Sequence, residues 1–597
     1  MAKAPAAPAP PPAAEAATLR REDGDSVLRR EGGESVLRRE GGDRGPSLAE
    51  RLAQRATATL HASPLHRLRL KGRQPLRLLG VPADPVPGDP QLGERLAAGR
   101  LIHAGATVMT RDLDFGGAGL APAWRDHADS WGWLRDLAAW APDRAAGAKV
   151  AEPLVRRWLA RFADYDAVAW SALVTGRRLL FAFAHAPLIL SSSDSGYRTA
   201  LLGGLAGWAR HLDRAAFRLP DGLAKAEALA GLHAAGHLIP MGEARVAAAL
   251  AGLEKLLPTL VLPDGGIASR APVDALALAE LLIFSGNAAL AVDARPAPVF
   301  ADSLARLAPS LMGMALGDGM IGAWGGGAPI AAGALDRLAK GCATGTQLVR
   351  AGRWSGYYRL SAGRTVIVAD AGPPPLARIA AGHAGTLAFE LSDGPDRVIV
   401  NCGGDRGLPA PLPGPLAQGL RTTAAHSTLV VADTNSTRIR DDGALGLGVE
   451  EVSVSARSSE EGHWLEASHD GYAKRFGMVV TRRLFLSADG SDLRGEDALA
   501  PAVRRRLGRA TDRAFDIRFH LGVGVTATPT ADGAGALLKL PAGRVWAMKA
   551  RGGPVAIEPS LWIDAAGGLH KTWQLVIAAR TEKAAASVQW SFKRAGK

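Results

Sequence analysis

Apolar residues return every three or four positions through the first half of the chain and every second position through the second half, with the change near residue 350. The stretches AEPLVRRWLARFADYDAVAW, TALLGGLAGWARHLDRAAF, LAKAEALAGLHAAGHLI, EARVAAALAGLEKLL, DALALAELLIFS and DSLARLAPSLMGMAL carry the helical spacing between Gly/Pro turns. Helices of similar length joined by short loops predict antiparallel hairpins packed as a bundle or toroid. Beyond residue 350, segments such as TVIVADAG, TLAFEL, RVIVNCG, STLVVAD, MVVTRRLFLSADG and TWQLVIAA alternate or run apolar between Gly, Asp and Pro. That pattern predicts about a dozen antiparallel strands in a β-sandwich. Helices first and strands after is the α+β, two-domain order.

Residues 1–45 follow neither period. An Ala/Pro tract leads into three copies of a nine-residue unit, LRREDGDSV, LRREGGESV and LRREGGDRG. Each copy offers one Leu and at most one Val to bury, too little to offset the entropy of ordering it, so a disordered tail is expected there. The folded domains are then expected at 46–345 (helical) and 346–597 (strands).

Composition narrows the function classes. The 597 residues carry 71 Lys+Arg against 58 Asp+Glu, a formal charge of +13, which favours polyanionic ligands: nucleic acid or an acidic polysaccharide. The basic stretches at 66–80 and 504–510 have neither an aromatic platform nor a recognition-helix motif, so nucleic acid is not the expected partner. Two cysteines, Cys342 and Cys402, imply no disulfide framework. GGG at 325–327 lacks the Lys and Ser/Thr of a phosphate loop. The proline-broken N-terminus has no apolar signal core, which makes a cytoplasmic location the expectation, and the short, acid-bearing stretch DALALAELLIFSG argues against a transmembrane span.

The residues 382–434 carry the candidate chemistry. GHAGTLAFELSDGPDRVIVNCGG is followed, after a Gly/Pro-rich loop, by RTTAAHSTLVVADT, so His383 and His426 each stand near the start of a strand. This stretch resembles the heparinase II/III-like polysaccharide lyases, whose C-terminal domain lines a site with H-x-D-x-x-x-F, V-D-x-G and H-[NS]-T strands. The counterparts are His383-Ala-Gly385-Thr-Leu-Ala-Phe389, Val400-Asn401-Cys-Gly403 and His426-Ser427-Thr428. Both histidines are kept, while the two carboxylates are replaced by Gly385 and Asn401. The order H-x-G-Y…R-R-x-x-x-L…D-x-L-x-G-x-D is also similar, in residues 469–497.

The resemblance implies an α/α toroid, an incomplete barrel, followed by a β-sandwich. It also implies β-elimination on a uronate-containing polysaccharide in the cleft between them, and a periplasmic setting as the alternative location. That reaction needs cations or amides on the sugar carboxylate, a base for the C5 proton and a donor for the departing 4-oxygen. Tyr197 is the candidate proton donor, with His383 and His426 as base or metal ligands. Arg270, Arg421 and Arg475 are candidate carboxylate neutralisers, and His469 and Tyr472 candidate substrate contacts. Zinc in the family is held by two such histidines and an aspartate; the set here would be His383, His426 and Asn401, and a neutral amide is a poorer zinc ligand than a carboxylate.

Each candidate has a plainer reading. Tyr197 can be a helix-start tyrosine capped by Asp194 or Ser195, and His233 and His237 can pack as an i,i+4 pair without binding metal. His383 and His426 can simply hydrogen-bond a turn, Asp492 and Asp497 can settle turns, and His520 has no partner visible in sequence. Trp124, Trp131, Trp133 and Trp140 can pack helices rather than stack on sugars. Further positions depart from the family pattern: Gly222-Leu223, Ile267, Val273-Asp274 and Ala381. They point to a second reading, a non-catalytic glycan-binding protein on a lyase scaffold.

Overall fold

The structure, a computed structural model, describes residues 30–31, 34–39, 63–70, 72, 75–117, 119–342, 347–375, 382–502, 512–582 and 585–595. Ala381, the basic stretch 504–510 and most of the 1–45 tail lie outside these residues.

The helical half is built around Leu223–Leu238, which packs against Ala172–Ala184, Glu243–Leu260 and Pro272–Leu290. Its Ala- and Gly-rich sequence is what a helix enclosed on several sides requires. At the closest crossing, a Cβ added to Gly231 would lie 2.6 Å from the carbonyl oxygen of Gly176, so only glycine admits the neighbouring backbone. The tryptophan cluster resolves as packing: Trp124, Trp131 and Trp133 are at most 1 % exposed. Trp131 stands edge-on to Trp158 and Trp208. The fully buried Arg178 guanidinium lies 4.2 and 4.4 Å from the rings of Trp158 and Trp208 and donates to the carbonyls of Asp129 and Ala169.

Among the described residues one helix, Pro272–Leu290, is long and apolar enough to cross a membrane. It extends the DALALAELLIFSG stretch to 19 residues, and half of its apolar window is buried inside the helical domain.

The strand half is a sandwich of two antiparallel sheets. The larger begins at its outer edge with Arg30–Glu31 and Glu34–Arg38. It continues through the meander Glu451–Ser459, Gly462–His469, Met478–Ser487 and Asp492–Pro501, then through Ala586–Arg594 to Val545–Arg551, Gly535–Lys539 and Thr526–Pro529. The smaller runs Val555–Ile563, Leu569–Arg580, Ala514–Leu521, Asp396–Val400, Phe389–Asp393, Thr365–Asp370 and Tyr357–Ala362, with Leu429–Val431 beside Ala514–Leu521. Inward residues of both sheets, among them Ile367, Phe389, Ile517, Leu484, Trp546 and Trp590, form one core.

Two expectations are corrected. The tail is not without order throughout: Glu34–Arg38 pairs with Glu451–Ser459, and Leu37 is buried. Borrowing an existing sheet edge lets a segment with one leucine find backbone partners it could not supply itself. Asp497 does not settle a turn; it lies within a strand and binds Arg482 through two hydrogen bonds of 2.7 and 2.9 Å.

Candidate functional site

A narrow cleft with a cavity of about 10 Å³ lies where the domains meet, lined by Arg270 and Trp324 from the helical half and by Asp370, His383, Thr386 and His426 from the sandwich. Its floor is a hydrogen-bonded histidine pair. His426 Nδ1 lies 2.7 Å from the Thr422 carbonyl, and His426 Nε2 lies 3.1 Å from His383 Nδ1. A carbonyl only accepts, so His426 carries its proton on Nδ1. In the neutral ring Nε2 must then accept from His383 Nδ1–H, which leaves the lone pair of His383 on Nε2. Burial holds His383 well below its ordinary value, helped by His426, Arg421 and Arg406, and lowers His426 to about 4 against the pull of the Thr422 carbonyl. Both rings are therefore neutral at pH 7.

The two positions that differ from the lyase pattern have been rebuilt around their new residues. A Cβ on Gly385 would sit 2.5 Å from His426 Cδ2, so the imidazole packs on the glycine where a larger side chain would stand. Asn401 is fully enclosed. Its Oδ1 accepts from the Ser427 N–H at 3.1 Å, and its Nδ2 donates to Glu390 Oε1 at 3.2 Å. The amide is spent inside the sandwich, and no group of three or more His, Cys, Asp or Glu side chains suited to a metal occurs among the described residues. The donor set does not fit zinc: two histidines bonded to each other and an amide already paired are not three converging ligands.

Glu390, which sequence reasoning passed over, is the hub behind this wall. Oε1 accepts from the N–H groups of Asn401 and Ala323 at 3.2 Å each, and Oε2 accepts from Arg397 at 3.2 Å. Arg397 in turn donates to Asp318 at 2.7 Å. Burial pushes the Glu390 carboxyl up to about 7, with Arg397 opposing. The signal available was a lone glutamate within the apolar run TLAFEL, because a carboxylate enclosed in a sheet must have partners.

Arg270 lies on the cleft wall, but its guanidinium is committed. Nε donates to Ser355 O at 2.7 Å, Nη1 to Gly372 O and Pro373 O at 3.1 and 2.8 Å, and Nη2 to Asp370 at 2.6 Å. The Tyr357 hydroxyl donates to the Arg270 carbonyl at 2.6 Å, and the backbone there holds φ +57°. Arg270 is thus a pin between domains, reading against the role of sugar-carboxylate neutraliser. Arg406 with Asp274 makes another such pin, at 2.5 Å. Arg421 is spent likewise, on the carbonyls of Gly382 and Gly443 and the amide of Gln418.

Tyr197 follows Asp194, which caps helix Ser195–Ala215 by accepting from the Tyr197 N–H at 3.1 Å. The Tyr197 ring is buried under the Arg156 guanidinium, 4.4 Å away, and the residue is not part of the cleft lining. Its hydroxyl has no hydrogen-bond partner among the described residues, and burial raises its pKa strongly. His469, Tyr472 and Arg475 also stand outside the lining. His469 Nδ1 accepts from Gly471 N–H at 3.0 Å, and the Tyr472 hydroxyl meets the Thr434 carbonyl at 3.0 Å. Arg475 is exposed in the short helix Ala473–Phe476. His233 is enclosed against His237 and Phe300. His520 has its partners, Ser560 at 2.8 Å and the Ala424 carbonyl at 2.9 Å.

With this geometry in view, residues 344–591 match the heparinase II/III-like, C-terminal family. A relative in Caulobacter vibrioides, FtsZ-localized protein C, is 29 % identical over 545 residues, covering 89 % of this chain and 92 % of its own. A solved heparinase III superposes with a TM-score of 0.64 at 11 % identity, covering 93 % of both chains. The heparan sulfate lyase of Pedobacter heparinus superposes with a TM-score of 0.57 at 14 % identity, covering 92 % of this chain and 91 % of that one. The strand half thus matches the heparinase II/III-like, C-terminal family model, and the whole chain shares the two-domain fold of heparinase III.

Proposed function

We propose that this protein holds an acidic polysaccharide strand in the cleft between its domains without cleaving it. The observation that carries the reading is the rebuilt floor: the His426 ring packs on Gly385, in the place of the family's carboxylate. Around it, the Asn401 amide and the Arg270 guanidinium are consumed by protein partners. β-Elimination needs a cation or amide free to bind the sugar carboxylate and a donor for the leaving oxygen. The lining residues instead offer a lone pair on His383 Nε2 and the indole of Trp324, whose buried N–H has no partner among the described residues. Those groups suit the hydroxyls of a sugar chain and the ring faces of its residues. The net charge of +13 favours an acidic strand.

The relative named FtsZ-localized protein C matches across nearly the whole chain, which supports a role for this protein in an assembly that includes FtsZ. The reading is tested by calorimetric titration of the protein with uronate polysaccharides, alongside ultraviolet absorbance of the same mixtures. Binding weakened by His383→Ala, with no unsaturated-uronate chromophore, is the expected outcome. A chromophore that grows with time and vanishes in the variant would establish a lyase instead. Co-sedimentation with polymerised FtsZ tests the second part, and recovery wholly in the supernatant would refute it.

A further inference from the structure

The outer edge of the larger sheet is occupied by a segment that the chain carries in near duplicate. Glu34–Arg38 pairs antiparallel with Glu451–Ser459, Leu37 opposite Val452 and Val36 opposite Ser453. Leu37 is buried, and two arginines fasten the end of the strand. Arg38 donates to Glu451 at 3.0 Å. The Arg39 N–H donates to the Glu450 carbonyl at 2.8 Å, and its guanidinium donates to the carbonyls of Pro375, Gly446 and Leu445 at 3.2, 2.7 and 3.3 Å. Pro375 also lines the cleft, so the strand braces one cleft wall.

Every group that makes these contacts recurs nine residues earlier. Residues 25–31, DSVLRRE, differ from 34–40, ESVLRRE, only by Asp for Glu. The turn recurs too. Arg30–Glu31 folds back on Glu34 and Ser35, and the corresponding upstream segment, Arg21-Glu22-Asp23-Gly24-Asp25-Ser26, carries Asp-Gly, a dipeptide favoured in two-residue hairpins. Main-chain pairing is indifferent to which copy supplies it, and the pockets for Leu and the two arginines see the same side chains in either case.

We propose that the edge of Glu451–Ser459, together with the carbonyls of Pro375, Leu445 and Gly446, is a seat for a Ser-Val-Leu-Arg-Arg strand, and that Ser26–Arg30 occupies it in exchange with Ser35–Arg39. The exchange lengthens the connection to the helical domain by one repeat. Closure entropy grows slowly with length, so the two occupancies should differ by less than about twofold on this account. The copy that is not seated remains available to the same edge, and the brace on Pro375 persists through the exchange. The third copy, Ala17-Thr18-Leu19-Arg20-Arg21, lacks the Ser-Val pair.

Disulfide trapping in the full-length chain tests this, since the native Cys342 and Cys402 are both buried. Val36→Cys with Ser453→Cys should form an intramolecular disulfide, and Val27→Cys with Ser453→Cys should form one in comparable yield. Leu28→Cys with Ser453→Cys, out of register by one residue, should form little. Failure of the Val27 pair while the Val36 pair forms would overturn the proposal, as would a Leu28 pair as efficient as the Val27 pair. Amide hydrogen exchange along Glu451–Ser455 gives a readout without added cysteines. Leu37→Asp alone should leave these amides protected, and Leu28→Asp with Leu37→Asp should expose them. Equal loss of protection in the single variant would show that only one copy fits.

Discussion

The two walls of the cleft have diverged differently from the lyase pattern. The sandwich wall keeps both histidines, orders their protons through the Thr422 carbonyl and leaves the His383 Nε2 lone pair without a partner among the described residues. The helical wall keeps shape but offers little free chemistry: Arg270 is locked to Asp370 and three carbonyls, and Ile267 and Val273 stand where the pattern has polar residues. Charged side chains at this boundary now hold the domains together, as in Arg270–Asp370, Arg406–Asp274 and Asp318–Arg397–Glu390. A scaffold can thus retain its architecture while the groups that would act on a ligand are spent on its own joints.

The contrast can be broken most forcefully at Arg270. Arg270→Ala strands the buried Asp370 carboxylate and three carbonyls, and should cost about 3–5 kcal/mol in denaturant unfolding; a loss near zero would mean that the pin carries no load. On the opposite wall, Gly385→Asp returns the family's carboxylate to a space the His426 ring now fills, and should destabilise by about 1–3 kcal/mol through overpacking. A stable Gly385→Asp variant that also gained lyase activity would show that the floor had not been rebuilt.

Glu390 gives a pH signature. Its folded-state pKa of about 7 exceeds the ordinary 4.5, so the unfolded chain ionises first as pH rises. Between those values the folded state binds the extra proton, and this group's contribution to stability falls with rising pH. Glu390→Gln should flatten that slope in unfolding curves taken from pH 4.5 to 7; an unchanged slope would assign it to other groups. At the small end, Arg475→Ala should change stability by less than about 0.5 kcal/mol, because the side chain is exposed. A marked loss of glycan affinity in that variant would extend the binding surface beyond the cleft.

Much of the fold was legible because hydrophobic period is a local property: the change from three-and-four to two spacing marks the passage from helices to strands. The histidine floor was legible as well, since H-x-G-x-x-x-F and H-S-T place two imidazoles on neighbouring segments. What sequence could not supply was the fate of the polar groups. Arg270 and Arg421 read as free cations, and only the packed structure brings Ser355, Gly372 and Gly443 carbonyls, distant in sequence, onto their nitrogens. Glu390 and Asp497 were obscured for the same reason, their partners lying on other strands. The tail strand failed differently: its own residues cannot offset its ordering, and the edge that accepts it begins more than 400 residues later.

Whether the cleft binds a glycan without eliminating it is decided by ultraviolet absorbance of the full-length protein incubated with a panel of uronate polysaccharides. No unsaturated-uronate product is expected from any glycan that calorimetry shows to bind. A time-dependent rise in absorbance, abolished by His383→Ala in a folded variant, would contradict it.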